Sequence, residues 1–202
     1  MTILLIRHGE TELNATRVVQ FPDTPLGNNG VSQASRLGAR LASRTIERVL
    51  SSDYRRAQST AEQIALATDA ELVISNLLRE RHFGELRGLS YEEFEGLDIF
   101  AREYHPPGGE SWDEFDARVD KAWQEILRHA QEVDADLAVV THGLVLRSLL
   151  ERHVDLNGHQ TGDELVVANT SVTEVTSNSP WRVTNFACVR HLTELAGSGG
   201  PV

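Results

Sequence analysis

Short apolar runs alternate along the chain with longer stretches in which apolar residues recur at helical spacing. The runs predict strands at residues 2–7, 46–51, 71–74 and 137–141, and a closing, partly antiparallel pair at 165–176 and 181–186. The amphipathic stretches predict helices at 54–67, 113–132 and 143–153, and one that is capped by Asn28 or Asn29 and runs to Leu41. This alternation predicts an α/β fold, with a mostly parallel central sheet and helices on both faces, in three layers.

The length of 202 residues fits one domain with a full core. Because the chain has no internal repeat and no linker, we expect a single domain over residues 1–196 and a flexible tail at 197–202. Residues 78–111 contain five glycines and little periodicity, so we expect an irregular excursion over the sheet there.

Composition and charge exclude several classes of function. The net charge is −11 and there is no basic run, which argues against partners such as nucleic acid or a membrane. Cys188 is the only cysteine, so neither a disulfide framework nor a cysteine-based metal site is expected. The chain shows no leader and no long apolar segment, which makes the cytoplasm the expected location. If so acidic a protein handles an anionic substrate, it needs a local focus of positive charge.

Two histidines follow predicted strands and precede glycines. Arg7, His8 and Gly9 come where the first strand ends, and His142 and Gly143 come after the strand at 137–141. Ligands of open α/β sheets bind at the carboxyl ends of the strands, and a glycine lets a ligand approach the backbone. Read alone, each histidine could equally be a surface or capping residue.

Two charged clusters carry further candidates. Arg55 and Arg56 stand at the start of a predicted helix, where the helix dipole disfavours a cation, so an anion-binding role is favoured over a solvated pair. Glu80 lies between Arg79 and Arg81, an arrangement that is usually a surface ion pair.

The ordered set of motifs resembles the histidine phosphatase superfamily, the phosphoglycerate mutase-like group. The motifs are R-H-G-E-T-x-x-N from Arg7, S-S-D-Y-x-R-A-x-x-T-A from Ser51, L-R-E-R-x-F-G from Leu78, P-P-G-G-E-S from Pro106 and V-T-H-G from Val140. The resemblance covers nearly the whole chain and implies a phosphoglycerate mutase-like fold. Gly27 departs from it, because the family more often has a hydroxyl residue that caps the first helix.

The resemblance also implies a role for each matching residue. His8 would be the nucleophile that becomes phosphorylated, and Glu80 would be the proton donor. The remaining matching residues would bind the phosphate group: Arg7, Gly9, Asn14, Arg56, His142 and Gly143.

Physical chemistry adds expectations about protonation. Positive neighbours, including a charged His142, would keep His8 neutral, and a backbone carbonyl would hold its other ring nitrogen. Glu80 must carry a proton, and a bound phosphate dianion would raise its pKa.

Residues outside these motifs receive weaker expectations. His82 lies near the acid and could touch the substrate. His129 and His153 stand late in helices, which suits dipole stabilisation or exposure. Arg147 is expected to be structural.

The expected function is hydrolysis of phosphate monoesters of small metabolites through a phosphohistidine, with neither metal nor cofactor. The short chain has only residues 85–112 as a lid, which favours a phosphatase over a cofactor-dependent phosphoglycerate mutase. A non-catalytic phospho-ligand binder is the third alternative. Substrate specificity should lie in the loops at 15–26 and 86–112, and the oligomeric state stays open.

Overall fold

A six-stranded sheet forms the centre of the molecule, whose computed structural model describes residues 1–94, 96–159 and 165–195. Its strands are β1 (Thr2–Arg7), β2 (Ile46–Ser52), β3 (Glu71–Ser75), β4 (Asp136–Thr141), β5 (Val172–Thr176) and β6 (Val183–Cys188). They lie in the order β3-β2-β4-β1-β5-β6, and only β5 runs against its neighbours. The predicted tail and the predicted domain end at residue 196 lie outside the described residues.

Helices cover both faces of this sheet, so the predicted three-layer α/β fold is confirmed. They are α1 (Glu12–Ala15), α2 (Asn28–Leu41), α3 (Arg55–Thr68), α4 (Trp112–Gln131) and α5 (Gly143–His153). In β1, Ile3 and Leu5 pack with α4 and α5, whereas Leu4 and Ile6 pack with α2 and α3. Because both sides of each central strand are buried, the strands are continuous apolar runs in the sequence. No helix in the described ranges is long and apolar enough to cross a membrane.

The start of α2 differs from the prediction. Gly27, not Asn28 or Asn29, is the N-cap residue, and a glycine has no side chain with which to cap the helix end. A Cβ atom on Gly30 would lie 1.9 Å from the carbonyl oxygen of Glu10. The first turn of α2 therefore packs directly against the loop that follows β1, and backbone contact replaces the expected side-chain cap.

The predicted strand at 165–176 is too long, since β5 begins only at Val172. The segment before it bends over the end of β1 instead of pairing along it. The Thr170 amide donates to the carbonyl oxygen of Arg7 at 3.0 Å, and Thr170 has a φ of 56°. This left-handed residue turns the chain, which sequence periodicity does not indicate.

The parallel strands bring their carboxyl ends to one edge. In β1 and β4, Arg7 lies opposite Thr141, so His8 and His142 leave the sheet side by side. The excursion after β3 arches over this edge through short 3-10 helices at Asn76–Leu78, Gly84–Leu86 and Tyr91–Phe94.

Candidate active site

His8 is buried and neutral. Its Nδ1 atom lies 2.7 Å from the Gly9 carbonyl oxygen, and its Nε2 atom lies 3.2 Å from Nε of Arg56. A carbonyl can only accept and a guanidinium can only donate, so Nδ1 carries the proton and Nε2 carries the lone pair. Burial, followed by the charges of Arg56 and Arg7, holds the pKa of His8 well below its usual value. The expected backbone carbonyl partner is confirmed.

His142 lies beside it, with 5.1 Å between the two ring centroids. The expectation of a charged His142 is wrong. Burial is the main cause that keeps its pKa well below the usual value, with Arg56 and His8 adding to the effect. Its Nε2 atom contacts the hydroxyl oxygen of Ser52 at 2.9 Å, whereas its buried Nδ1 atom has no hydrogen-bond partner among the described residues.

Arg7 and Arg56 place positive charge next to His8. Arg56 is buried in the first turn of α3, and its Nη1 donates to the Phe21 carbonyl at 2.9 Å, whereas Arg55 is exposed. Nη1 of Arg7 donates to the Val167 carbonyl oxygen at 2.7 Å. The buried Nε atom of Arg7 has no hydrogen-bond partner in the described part of the chain. Burial lowers both pKa values, that of Arg56 to about 10. A guanidinium group keeps its charge in proteins.

The Glu80 carboxyl group accepts two backbone hydrogen bonds, from Arg81 at 3.1 Å and from Leu144 at 3.2 Å. Its pKa is nevertheless raised, because burial outweighs these two bonds and the charges of Arg56 and Arg7. The carboxyl group is thus biased towards its protonated form without the bound phosphate that the sequence analysis invoked.

Arg7, His8, Arg56 and Glu80 line one cleft of about 270 Å³, together with Asn14 and Gly143. His142 is fully buried beside His8 and does not line this cleft itself. The Asn14 side chain is engaged in the cap of α1, where it accepts from the Thr11 amide at 3.3 Å. A Cβ atom on Gly143 would lie 3.7 Å from Nε of Arg7 and 4.0 Å from Oε2 of Glu80, so this glycine keeps the cleft floor open. Gly9 packs away from the cleft, and its amide donates to the hydroxyl oxygen of Thr60 at 3.0 Å.

The lone pair of His8, the Glu80 carboxyl group with its raised pKa and the guanidinium groups of Arg7 and Arg56 therefore meet at one cleft. The sequence profile of the histidine phosphatase superfamily (branch 1) matches residues 3–186. The chain belongs to this superfamily.

Known relatives are similar over most of their length. Phosphoglycerate mutase-like protein 4 of Arabidopsis thaliana is 34% identical over 215 residues, which cover 98% of this chain and 91% of the relative. Broad-specificity phosphatase YOR283W of Saccharomyces cerevisiae is 34% identical over 185 residues, covering 86% and 78%. The solved structure of Bacillus stearothermophilus YhfR has a TM-score of 0.80 at 27% identity, covering 95% of this chain and 98% of that one.

The cleft of this superfamily member has an apolar wall. The loops at 15–26 and 86–112 contribute Val18, Val19, Tyr91 and Phe100 to it. Sequence reasoning missed the second side of the wall, at residues 165–167, because those residues were assigned to a strand. It also missed Arg147, expected to be structural, which lines the cleft and pairs with Glu151 at 3.3 Å.

Several candidates lie elsewhere. His82 is outside the cleft and lines a separate depression beside Arg79. His129 is buried and His153 stacks on Trp123, and burial lowers the pKa of both histidines. The expectation that these two lie exposed is therefore wrong, and burial disfavours the charged form that would stabilise a helix end.

The charged cluster around Glu80 is not one surface ion pair. Arg79 does pair with Asp53, at 2.5 Å. Arg81, however, is buried, and its guanidinium donates to the carbonyl oxygens of Ile99, Tyr104 and Glu110.

Proposed function

We propose that this protein is a phosphatase that hydrolyses phosphate monoesters of small metabolites through a phosphohistidine at His8. One observation carries the proposal. Beside the Nε2 lone pair of His8, Nε of Arg7 and Nδ1 of His142 are buried without a partner among the described residues. Buried polar atoms are nearly always paired, and a phosphoryl group would satisfy both of them.

In the first half-reaction, Nε2 of His8 attacks phosphorus and the bond from phosphorus to the ester oxygen breaks. Arg56, which donates to Nε2 at 3.2 Å, turns its N–H to a phosphoryl oxygen as the lone pair is used. Arg7 and His142 donate to the other equatorial oxygens, where charge must be stabilised. Glu80 gives its proton to the leaving oxygen, so the product leaves as an alcohol.

In the second half-reaction, the Glu80 carboxylate takes a proton from water. The water oxygen bonds to phosphorus, the bond from nitrogen to phosphorus breaks, and inorganic phosphate leaves. His8 regains its lone pair and Glu80 its proton, so the cycle closes. The amide of Gly143, at the start of α5, and Asn14 complete the wall of the phosphate pocket.

This scheme needs no metal ion and no cofactor, because Arg7, Arg56 and His142 supply the stabilisation that a cation would otherwise give. The two arginines would also repel a cation from the same pocket. The substrate is a small phosphorylated molecule, and we propose that the protein meets it in the cytoplasm.

A phosphoglycerate mutase is the second candidate, since relatives carry mutase-like names. The wall of the cleft favours hydrolysis. Phe100 and Val166 line it and stay 40% and 55% exposed, an apolar surface that suits a bulkier leaving group than a phosphoglycerate. A mutase would convert 3-phosphoglycerate to 2-phosphoglycerate with a bisphosphate primer and release little phosphate.

A panel of phosphate esters, assayed for released phosphate with and without EDTA, tests the proposal. We expect release that EDTA leaves unchanged and vanadate inhibits, that His8→Ala abolishes, and that the matched variant His82→Ala retains. Loss of activity in EDTA would overturn the metal-free scheme. Binding of phosphate without hydrolysis of any ester would instead indicate a phospho-ligand binder.

A further inference from the structure

Ser52 stands behind the ring of His142, on the side away from its unpartnered nitrogen. It is the last residue of β2 and is fully buried. Its hydroxyl oxygen lies 2.9 Å from Nε2 of His142 and also accepts from the Tyr54 amide at 3.2 Å. Ser52 therefore joins the ends of two neighbouring parallel strands through one side-chain contact.

The donors and acceptors at this contact fit only one arrangement well. If Nε2 carried the proton, the Ser52 oxygen would accept two N–H groups, and its own hydrogen would lack an acceptor among the described residues. If the Ser52 hydroxyl donates to Nε2, its lone pair still accepts from Tyr54 and every group at the contact is used. The proton of the neutral His142 ring then stands on Nδ1.

The geometry points to Ser52 as the positioning residue that sets the tautomer of His142, so that an N–H group at Nδ1, and not a lone pair, faces the phosphoryl oxygens. This inference rests on the proposed function. The opposite tautomer would set a lone pair against an anion. His8 and His142 thus share one tautomer, with the proton on Nδ1, but use different nitrogen atoms. His8 offers the lone pair of Nε2, and His142 offers the hydrogen of Nδ1.

The neighbouring Ser51 provides a matched control. It is equally buried, but its hydroxyl group donates to the Ser52 carbonyl at 2.9 Å and makes no hydrogen bond with His142. Because Ser52→Ala also removes the acceptor of the Tyr54 amide, Ser52→Thr, which keeps a hydroxyl group, separates the two effects.

The test combines nitrogen NMR with vanadate binding. The His142 signals are identified by their loss in His142→Asn. In wild-type protein without ligand, we expect the Nδ1 atom of His142 to be protonated and its Nε2 atom to be unprotonated. In Ser52→Ala we expect a mixture of tautomers and about tenfold weaker vanadate binding. Ser51→Ala should keep both the wild-type tautomer and the wild-type affinity, and Ser52→Thr should recover the wild-type tautomer.

The outcomes separate this inference from the proposed function. A wild-type ring protonated on Nε2, in protein that still hydrolyses esters, would overturn the inference alone. Equal vanadate affinity in Ser52→Ala and Ser51→Ala would overturn it as well. Failure to hydrolyse any ester would overturn the proposed function, while the tautomer of the ligand-free protein would still be measured. If Ser52→Ala does not fold, the wild-type spectrum and Ser52→Thr decide the question.

Discussion

The lowered pKa of His8 and the raised pKa of Glu80 both have burial as their main cause. The motifs indicated both residues, because residue type and order carry that information. The motifs did not indicate that His142 is neutral, nor that burial alone raises the pKa of Glu80, since both follow from how the loops close over the site. The contact between Ser52 and His142 was missed for the same reason: it joins residues 90 positions apart in the chain.

Replacing Glu80 by Gln should make the rate depend strongly on the leaving group. Release of an alcohol from an alkyl phosphate needs the Glu80 proton and should slow by about 10²–10⁴. Nitrophenolate leaves without a proton, so a nitrophenyl ester should still give a rapid first turnover, followed by slow release of phosphate. Rapid-mixing kinetics on both esters measures this, with the exposed Glu85→Gln as the matched control. An equal loss on both esters would contradict the role of Glu80 as the acid.

The excursion between β3 and α4 is the element that sequence analysis described least well. Its glycines predicted that it would be irregular, but they did not predict which contacts hold it in place. Arg81 donates to three carbonyl groups of this segment and stacks 4.2 Å from the centroid of the Trp112 ring. Carbonyl groups are the same in every residue, so such a network leaves no pattern in the sequence. Strands and long helices were predicted better, because burial imposes a period on them.

Replacing Arg81 by Met should loosen this element. Met keeps much of the apolar stem, but the three carbonyls lose their donor, so the free energy of unfolding should fall by about 2 kcal/mol or more. Because the excursion carries Phe100 and Tyr91 to the cleft, KM for an ester with a bulky leaving group should rise more than the inhibition constant of vanadate. Denaturant unfolding and steady-state kinetics check both effects.

Arg102→Met is the control for this prediction. Arg102 also lies over the Trp112 ring, at 5.4 Å, but its side chain is 58% exposed. We expect a much smaller effect from it. Equal losses in the two variants would show that the carbonyl contacts of Arg81 do not hold the excursion in place.

The whole molecule combines a net charge of −11 with a cleft in which Arg7 and Arg56 lie next to His8. The acidic composition required a local positive focus for any anionic substrate, and the sheet provides it where β1 ends and α3 begins. The layer arrangement and the mostly parallel sheet could be predicted because they follow from the alternation of strands and helices and from connection rules. The wall at 165–167 could not, because a left-handed residue at Thr170 bends the chain away from the sheet.

Stability should fall as the pH is lowered through about 6.5, the usual pKa of histidine. The pKa values of His8 and His142 are lowered in the folded state. Below about pH 6.5 the unfolded chain therefore binds protons at these two histidines that the folded protein does not bind. The stabilisation is therefore present above the unfolded pKa and is lost as the pH falls. His8→Asn should reduce the slope of unfolding free energy against pH by up to about 1.4 kcal/mol per pH unit. Denaturant titrations across this range measure the slope, and an unchanged slope would contradict a neutral, buried His8.

Transfer of the phosphoryl group to Nε2 of His8 is the central claim, and chemical trapping tests it most directly. Glu80→Gln protein, mixed with a nitrophenyl ester labelled in its phosphoryl group and quenched in alkaline denaturant, should carry about one label per chain. Peptide mapping should find the label on His8, stable in alkali and lost in acid. A label on another residue, or continued release of phosphate by wild-type protein with no labelled chain at any quench time, would contradict the account.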